Sequence, residues 1–433
     1  MSGETCPLKL FENRFCCLVE KPADVPLKSK SPYASEGFLV WFLRRYLPET
    51  KPADGCVLNL GDRQFVLFPK EGGEKSGAPT WESIEQTSPA GWRVSHAWFG
   101  TDVFIESTPA QARQQSPPWL NTTQTNAYRC ARFHSDQNSP WSIDRLGHFF
   151  LGQFSAKPGP KDLERLSAYS RECGGEGCYW KILGREARTK SELNLCPRFH
   201  AGQPMVGRPL VLESGVSYHI DFKEGYSFGL FLDQRENRFR LLQNLVAPGF
   251  PVWPEDSAEP PQMLNTFAYT CGFSVCAGLA GAKVVSVDLS RKYLQWGEGN
   301  FVANQLAPAE HEFLYGDVFG WMKRFIRRGR RFDAIVLDPP TFSRSKEGGV
   351  FKVKRDLPGL VETVVALLKP GGRILVSSNY AAWSPDAFTR SIEAAIDRTG
   401  REIGRRLFAT QPWDFGIIAK DEGYLKTWWL EVL

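Results

Sequence analysis

Residues 263–290 decide the fold class, and they read MLNTFAYTCGFSVCAGLAGAKVVSVDLS. The apolar run at 263–267 predicts a short strand, and the small residues up to about 280 predict a loop and a helix. Residues 283–288 then predict a buried strand that ends on a carboxylate. Ser290 is a suitable N-cap for a further helix that continues to about residue 304. The stretch therefore predicts two neighbouring strands joined by a crossing helix.

The same alternation continues toward the end of the chain. Residues 311–315, 332–338 and 373–378 predict three more strands, and 356–368 predicts a helix before the last of them. Strands that alternate with helices form a mostly parallel sheet that is covered by helices on both faces. We therefore predict an α/β fold for the C-terminal half of the chain.

Three domains are expected from the length of 433 residues and from the pattern of elements. Residues 1–125 predict an N-terminal mixed α/β accessory domain, in which 56–60 and 64–68 form a hairpin. Residues 126–215 predict a small α+β domain. Residues 216–433 predict the α/β domain that carries the chemistry.

Composition indicates an ordinary globular protein. Hydrophobic residues make up 42% and charged residues 23%, which excludes a disordered or fibrous chain. A net charge of +5 permits a nucleic-acid partner without requiring one, and the 14 Trp and 30 Phe residues include rings that can stack on bases. The absence of a visible secretory signal or transmembrane stretch predicts a cytoplasmic protein. The spacing of Cys173, Cys178, Cys196 and His200 is looser than that of zinc knuckles, so no metal is predicted.

Three carboxylates stand at the predicted ends of successive strands: Asp288, Asp317 and Asp338. In a parallel sheet such ends face one crevice, where ligands bind. The loop at 266–272 has a single glycine, which suits a pyrophosphate poorly. An adenosyl cofactor with a cationic sulfonium and no phosphate fits better, with Asp288 accepting from two ribose hydroxyls and Asp317 from the adenine amino group. The alternative is that these aspartates only cap the helices that follow them.

The chain resembles a known family in four segments. FGLFLDQR at 228–235, NTFAYTCGFS at 265–274, VDLS at 287–290 and DPPTFS at 338–343 are similar to class I S-adenosylmethionine-dependent rRNA methyltransferases of the RlmI/RlmK type, which act on bacterial large-subunit rRNA. The resemblance implies a C-terminal Rossmann-like class I methyltransferase sheet with S-adenosyl-L-methionine as cofactor. It also implies RNA as the partner, either 23S-type rRNA or a pre-ribosomal particle. Relatives of this type carry an RNA-binding domain at the N terminus.

The resemblance further implies roles for individual residues. The implied cofactor-binding residues are Phe231, Asp233, Arg235, Phe267, Tyr269, Thr270, Gly272, Asp288, Leu289, Ser290, Asp317, Val318 and Asp338. The implied catalytic residues are Asp338, Pro339, Pro340, Phe342 and Asn379, and the implied RNA contacts are Lys346, Phe351 and Arg355.

Two kinds of methyl transfer fit the sequence poorly. Methylation of cytosine carbon-5 needs a cysteine nucleophile, but Ser378 stands at the place of that cysteine and no cysteine follows Cys276. Methylation of an exocyclic amine usually shows an aromatic residue directly after the two prolines, whereas Thr341 intervenes before Phe342.

The chain resembles the guanine-N7 branch, the RlmK domain, best. Guanine N7 has a lone pair and no proton, so direct in-line transfer needs neither a general base nor a covalent intermediate. Orientation alone can then remove several kcal/mol from the barrier, on the order of 7–11 at best. Phe342 is expected to stack on a flipped guanine, and Asn379 or Arg355 to read its edge. The alternative for Phe342 and Phe351 is packing in the core.

One residue departs from the family pattern. Cys271 stands where the family has a glycine, and a positive φ at this position would be unfavourable for cysteine. This departure leaves open a cofactor-poor, RNA-binding homologue that acts in ribosome assembly. A cytosine-C5 rRNA methyltransferase and a methyltransferase of small molecules are two further alternatives. The basic run at 323–331 either contacts rRNA or is a solvated helix end.

Overall fold

The computed structural model describes most of the chain beyond residue 123. Its described residues are 9–12, 16–21, 56–60, 63–69, 124–134, 140–183, 196–225, 227–247, 249–254, 259–344, 350–412, 415 and 424–433. The implied RNA contact Lys346 and most of the predicted first domain lie outside these ranges. The chain divides into two compact units, one mainly of Phe42–Leu232 and the other mainly of Asp233–Pro412.

The first unit begins with a four-stranded antiparallel sheet in the order β1-β2-β4-β3. Leu60 pairs with Arg63 at the end of the last two strands, so the predicted hairpin is confirmed. The strands are β1 (Lys9–Glu12), β2 (Cys16–Lys21), β3 (Cys56–Leu60) and β4 (Arg63–Pro69).

A five-stranded sheet and a separate hairpin complete the described part of the first unit. The sheet order is β5-β6-β7-β8-β9, with β7 and β8 parallel and one helix, α1, between them in sequence. Trp141, Phe150, Phe154 and Leu166 form its core. The elements are β5 (Ala127–His134), β6 (Pro140–Leu146), β7 (Phe149–Phe154), α1 (Pro160–Glu172), β8 (Gly177–Ile182), β9 (Arg198–Gly202), β10 (Leu210–Glu213) and β11 (Val216–His219). The predicted strand at 149–154, the helix after it and the hairpin around Ser214 are confirmed.

The second unit alternates strands and helices, as predicted. It starts with a 3-10 turn at Leu232–Gln234 and helix α2 (Arg235–Leu242). The elements that follow are β12 (Gln262–Thr266), α3 (Gly272–Leu279), β13 (Lys283–Asp288), α4 (Arg291–Ala303), β14 (Glu312–Tyr315), α5 (Val318–Arg327), β15 (Phe332–Leu337), β16 (Phe342–Arg344), β17 (Val350–Lys352), α6 (Val353–Val365), β18 (Leu368–Ser378), α7 (Pro385–Asp397), β19 (Ile403–Ala409) and β20 (Lys426–Val432).

Seven of these strands form one sheet in the order β14-β13-β12-β15-β18-β20-β19. The strands from β14 to β18 in this order run parallel, and β20 is antiparallel to both of its neighbours. The predicted mostly parallel sheet is therefore confirmed. The inner strands of the sheet are largely buried because helices cover them, and this is why they read as apolar runs, whereas the edge strands β14 and β19 are partly exposed.

Local signals explain where the helices begin. The hydroxyl of Ser290 accepts a hydrogen bond from Tyr293 N at 3.3 Å, so the predicted N-cap of α4 is confirmed. Helix α6 begins at Val353, three residues before the predicted start. The Asp356 carboxylate lies in its first turn and accepts from Lys352 N at 2.7 Å, which stabilises the earlier start. None of the helices in the described ranges is long and apolar enough to cross a bilayer.

Candidate active site

The carboxyl edge of the parallel strands gathers the predicted site residues of the second unit. Phe267, Asp317, Asp338 and Asn379 directly or closely follow β12, β14, β15 and β18, and Asp288 is the last residue of β13. Neighbouring parallel strands end at the same edge of a sheet. Strand β12 lies between β13 and β15, so the strand order reverses there, and such a switch point is where open α/β sheets bind ligands.

The loop after β12 has an unusual backbone. Phe267, Tyr269 and Cys271 have φ values of 54°, 49° and 62°, in the left-handed region. Each such residue costs on the order of 1–2 kcal/mol when it is not glycine. Hydrogen bonds offset this cost: Ala268 N donates to Val287 O at 2.9 Å, and the Asn300 amide donates to Thr270 O at 2.9 Å. The loop is therefore held in a conformation that the chain would not otherwise adopt.

Cys271 occupies the strained position that the family pattern gives to glycine. Its side chain is fully buried and lies against Gly297 of α4, where an added Cβ would stand 2.8 Å from Cys271 Cβ. The absence of a side chain at Gly297 thus makes room for the thiol. Burial raises the pKa of Cys271 to about 12. The thiol is neutral at physiological pH, so it is not a nucleophile.

Asp288 is fixed by two backbone groups. Its Oδ2 accepts from Tyr269 N and its Oδ1 accepts from Ser290 N, both at 2.8 Å. Burial raises the pKa of this carboxyl group. Each carboxylate oxygen has a second lone pair, so both can still accept a ribose hydroxyl. Leu289, which is next in the chain, is 40% exposed and offers an apolar surface beside the carboxylate. The acceptor oxygens suit the ribose hydroxyls of an adenosyl cofactor, and the apolar surface suits its base.

Asp317 caps the helix that follows it, as the alternative interpretation predicted. Its Oδ2 accepts from Gly320 N at 2.9 Å. Within the described part of the chain its Oδ1 has no hydrogen-bond partner, so the capping role leaves one oxygen for a ligand. Tyr315 is 45% exposed nearby in sequence, whereas Val318 is buried in the core. Val318 can therefore face a cofactor only through its backbone.

Asp338 is the most strongly connected carboxylate of the site. Gln234 Nε2 donates to Asp338 Oδ2 at 3.1 Å and to Ser377 Oγ at 2.8 Å. Burial raises the pKa of Asp338 to about 6, and the hydrogen bond from Ser377 partly opposes the shift. Asp338 is therefore ionised at neutral pH, although its environment favours the protonated form more than water does.

A buried chain of amides extends from Gln234 into the core. Asn237 Nδ2 donates to Gln234 Oε1 at 2.8 Å, and Trp429 Nε1 donates to Asn237 Oδ1 at 2.9 Å. Gln234 and Asn237 are almost fully buried, and a satisfied buried network holds its members in one geometry. Helix α2 and strand β20 thus fix the orientation of Asp338.

The residues of the FGLFLDQR segment have different environments. The Tyr424 hydroxyl donates to Asp233 Oδ2 at 2.9 Å, and the charge of Asp233 adds to the raised pKa of Asp338. Arg235 is buried and has an ion pair with Glu236 at 3.9 Å. Phe231 belongs to the first unit and its ring is 45% exposed.

The segment after Asp338 presents an exposed ring. Pro339 is buried and Pro340 is exposed, and Phe342 on β16 is 46% exposed. Thr341 lies between them, and its hydroxyl donates to Asn379 Oδ1 at 2.8 Å. This hydrogen bond fixes which way the amide of Asn379 faces, and its NH₂ group is the part that can donate to a ligand.

Two implied RNA contacts have different outcomes. Phe351 is 6% exposed, and its ring centroid lies 6.1 Å from those of Phe267 and Phe319 in the core. The ring of Phe351 is therefore not accessible to a base, and its predicted contact with RNA is wrong. Arg355 is exposed and pairs with Asp356 at 2.6 Å, so its guanidinium remains at the surface.

Sequence reasoning missed three residues that connect the site. Gln234 lies inside a recognised segment but was given no role, and Thr341 was considered only as an interruption. Tyr424 lies far away in sequence and carried no local signal. The described residues contain no group of three or more His, Cys, Asp or Glu side chains that could hold a metal ion.

Known proteins similar to this chain are methyltransferases. A family model described as S-adenosylmethionine-dependent methyltransferase matches residues 192–403. Ribosomal RNA large subunit methyltransferase K/L of Psychrobacter cryohalolentis is 37% identical over 196 residues, which are 44% of this chain and 23% of that protein. Ribosomal RNA large subunit methyltransferase I of Salmonella newport is 28% identical over 328 residues, which are 75% of this chain and 77% of that protein. The crystal structure of SMU.776, a methyltransferase complexed with SAH, has a TM-score of 0.60 at 30% identity and covers 71% of this chain and 76% of that one.

The sheet order and the three strand-end carboxylates define a Rossmann-like methyltransferase of class I. The chain belongs to the family of S-adenosylmethionine-dependent methyltransferases, and S-adenosylmethionine is the cofactor of that family. The chain spans 23% of the length of the K/L relative, so it matches only one part of that longer protein.

Proposed function

We propose that the protein transfers the methyl group of S-adenosylmethionine to N7 of a guanine in large-subunit rRNA, directly and without a covalent enzyme intermediate. The names of the relatives support rRNA as the substrate class. The observation that carries the choice of guanine N7 over cytosine carbon-5 is the lack of a nucleophile. No cysteine follows Cys276, and Ser378 at the place of the cysteine is 1% exposed.

The residues at the carboxyl edge divide the work of this reaction. When bound, S-adenosylmethionine supplies an electrophilic methyl group on a sulfonium. Asp288 and the loop after β12 hold the adenosyl and methionine parts through carboxylate oxygens and backbone groups. Phe342 offers an exposed ring on which a flipped base stacks. Asn379 donates its NH₂ to O6 of the guanine, which leaves the N7 lone pair free to attack the methyl group.

Asp338 contributes a negative charge beside the reacting atoms. A guanine that gains a methyl group at N7 acquires a positive charge, and no proton has to be removed from it. An ionised carboxylate that is already fixed by Gln234 and Ser377 stabilises this charge without reorganising. Such a site needs orientation and charge but no general base.

Nucleoside analysis tests the proposal. Purified protein is incubated with S-adenosylmethionine and an in vitro transcript of large-subunit rRNA, and the digested RNA is examined by mass spectrometry. We expect 7-methylguanosine. The appearance of 5-methylcytidine would instead establish the cytosine-C5 alternative.

Two further assays distinguish the remaining alternative functions. Isothermal titration with S-adenosylmethionine distinguishes an enzyme from a cofactor-poor homologue, because the homologue gives no heat at sub-millimolar cofactor. Methyl transfer to metabolites in an RNA-free extract, with none to the transcript, would identify a small-molecule methyltransferase.

A further inference from the structure

The end of α5 that lies away from the candidate active site carries a dense group of cations. Residues 318–332 contain six Lys and Arg residues and no acidic residue. The exposed members are Lys323, Arg324, Arg327, Arg328 and Arg331, which we call the basic surface.

The position of the basic surface follows from the strand directions. Helix α5 begins at its cap, Asp317, at the carboxyl edge of the sheet and runs back for ten residues, which is about 15 Å. Arg330 pairs with Glu312, the first residue of β14, at 2.8 Å, and Arg331 directly precedes β15. The basic surface therefore lies at the edge of the sheet where the parallel strands begin, which we call the amino edge. Asp288 and Asp338 lie at the opposite edge, where the strands end.

Acidic residues of the fold do not neutralise the basic surface. Glu312 is engaged by Arg330, and Asp333 is engaged by Lys369 at 2.8 Å. Among the described residues, Lys323, Arg327 and Arg328 have no ion pair. Glu362, in the last turn of α6, is engaged by Arg398 at 2.6 Å, and Glu310 is exposed at the start of β14.

Helix stability does not explain so many cations. Cations in the last turn gain from the helix dipole, but this gain is confined to that turn and does not extend to Arg331. Lys323 and Arg327 are four positions apart on the helix, and so are Arg324 and Arg328. Charges of the same sign at this spacing repel each other. The intrinsic effect of the run is therefore repulsive, and a polyanion would relieve it.

We infer that the basic surface binds the phosphate backbone of RNA at a distance from the methylated base. The inference rests on the proposed function, because RNA is the substrate there. Arg324, stacked on Trp321 with its guanidinium carbon 4.7 Å from the ring, holds a charge at the surface in a fixed position. A single nucleotide in the active site does not reach the amino edge, so the inference requires an RNA that is long enough to contact both edges of the domain.

The test compares three variants of the full-length protein on two RNA probes. The neutral variant combines Lys323→Gln, Arg327→Gln and Arg328→Gln, and the charge-keeping control combines Arg327→Lys and Arg328→Lys. The surface control is Arg390→Gln, another exposed cation, on α7. The probes are a protein-free transcript of large-subunit rRNA and a short single-stranded oligoribonucleotide that contains guanine.

We expect the neutral variant to bind the long transcript about tenfold more weakly. The steepness of the plot of log K against log salt should also fall by about 2, because each lost phosphate contact reduces that slope by about 0.7–0.9. Binding of the oligoribonucleotide and of S-adenosylmethionine should not change, and both controls should bind like the wild type. Unchanged affinity and slope, or an equal loss in Arg390→Gln, would overturn the inference. A neutral variant that binds RNA normally but loses a ribosomal protein would assign the surface to a protein. If the wild type itself binds no rRNA, the proposed function fails together with this inference.

Discussion

Asp338 combines two opposing demands at a single residue. In the proposed reaction its carboxylate has to be charged to stabilise a developing positive charge, yet burial favours the neutral form and raises its pKa to about 6. The folded protein therefore binds this proton more tightly than the unfolded chain does. Between the unfolded pKa, about 4, and about 6, stability falls as the pH rises. The stabilising effect of protonated Asp338 is complete only below the unfolded value and is lost above about 6.

Asp338→Asn should separate stability from activity. At pH 7.5 the variant lacks the buried charge, so we expect its free energy of unfolding to exceed that of the wild type by about 1–3 kcal/mol. The difference should shrink toward pH 4.5, and methyl transfer should fall at least tenfold, which is about 1.4 kcal/mol in the barrier. Urea unfolding at both pH values and a transfer assay measure this. Asp397→Asn, at an exposed carboxylate, is the control and should change neither quantity. A variant less stable than the wild type at pH 7.5 would contradict the expected effect of the buried charge.

Thr341 is a second single residue with a testable role, because it orients the side-chain amide of Asn379. Its hydroxyl donates to Asn379 Oδ1 and so fixes the direction of the NH₂ group that we propose to contact the base. Thr341→Val removes this hydrogen bond, so we expect kcat/KM for RNA to fall about 5–15-fold, the equivalent of about 1–1.5 kcal/mol. Thr341→Ser keeps the hydroxyl and should behave like the wild type. Affinity for S-adenosylmethionine should be equal in all three proteins, and equal kcat/KM in the Val and Ser variants would show that the hydroxyl has no role.

At the scale of elements, α4 supports the strained loop after β12. Gly297 on this helix faces Cys271, and a Cβ there would also stand 3.4 Å from the backbone carbon of Thr270. The helix and the loop therefore have to be matched: a larger residue in one position requires a smaller one in the other. Because Tyr269 N in this loop donates to Asp288, the match affects the cofactor site.

Gly297→Ala should break this match. We expect a loss of about 1–3 kcal/mol in stability from overpacking and about tenfold weaker binding of S-adenosylmethionine. Adding Cys271→Gly restores the space, so the double variant should recover most of the lost stability and most of the lost affinity for S-adenosylmethionine. A double-mutant cycle measures the coupling between the two positions. Gly359→Ala on α6 is the matched control, because nothing lies within 4 Å of its added Cβ, and it should be neutral or slightly stabilising. A double variant as impaired as Gly297→Ala would mean that Cys271 is not the clashing group.

The elements also show which features the sequence could predict. Strands β13 and β15 were predicted within one residue because buried parallel strands are continuous apolar runs with clear ends. The role of Gln234 could not be predicted, since its partners Asp338 and Ser377 lie more than a hundred residues away in sequence. Phe351 was misjudged because an aromatic residue beside lysines looks the same in sequence whether it packs inward or outward.

At the scale of the whole molecule, the described residues of each of the two units include a hydrophobic core. Phe150 and Leu166 belong to the core of the first unit, and Leu264 and Ile335 belong to the core of the second. Asp288 and Asp338 lie in the second unit. A ligand that binds only the native form stabilises the unit that holds its site, by about 2.7 kcal/mol at a concentration of 100 times its Kd.

We therefore expect calorimetry of the full chain to show two unfolding transitions, of which S-adenosylhomocysteine shifts one. The shifted transition should be the one that Gly297→Ala lowers, because that substitution and the site share the second unit. Adenosine at equal concentration is the control, since it lacks the amino-acid part and should shift the transition less. A single transition would mean that the two cores unfold as one cooperative unit. Two transitions that both ignore S-adenosylhomocysteine would favour the cofactor-poor homologue, in which the strained loop has lost its ligand.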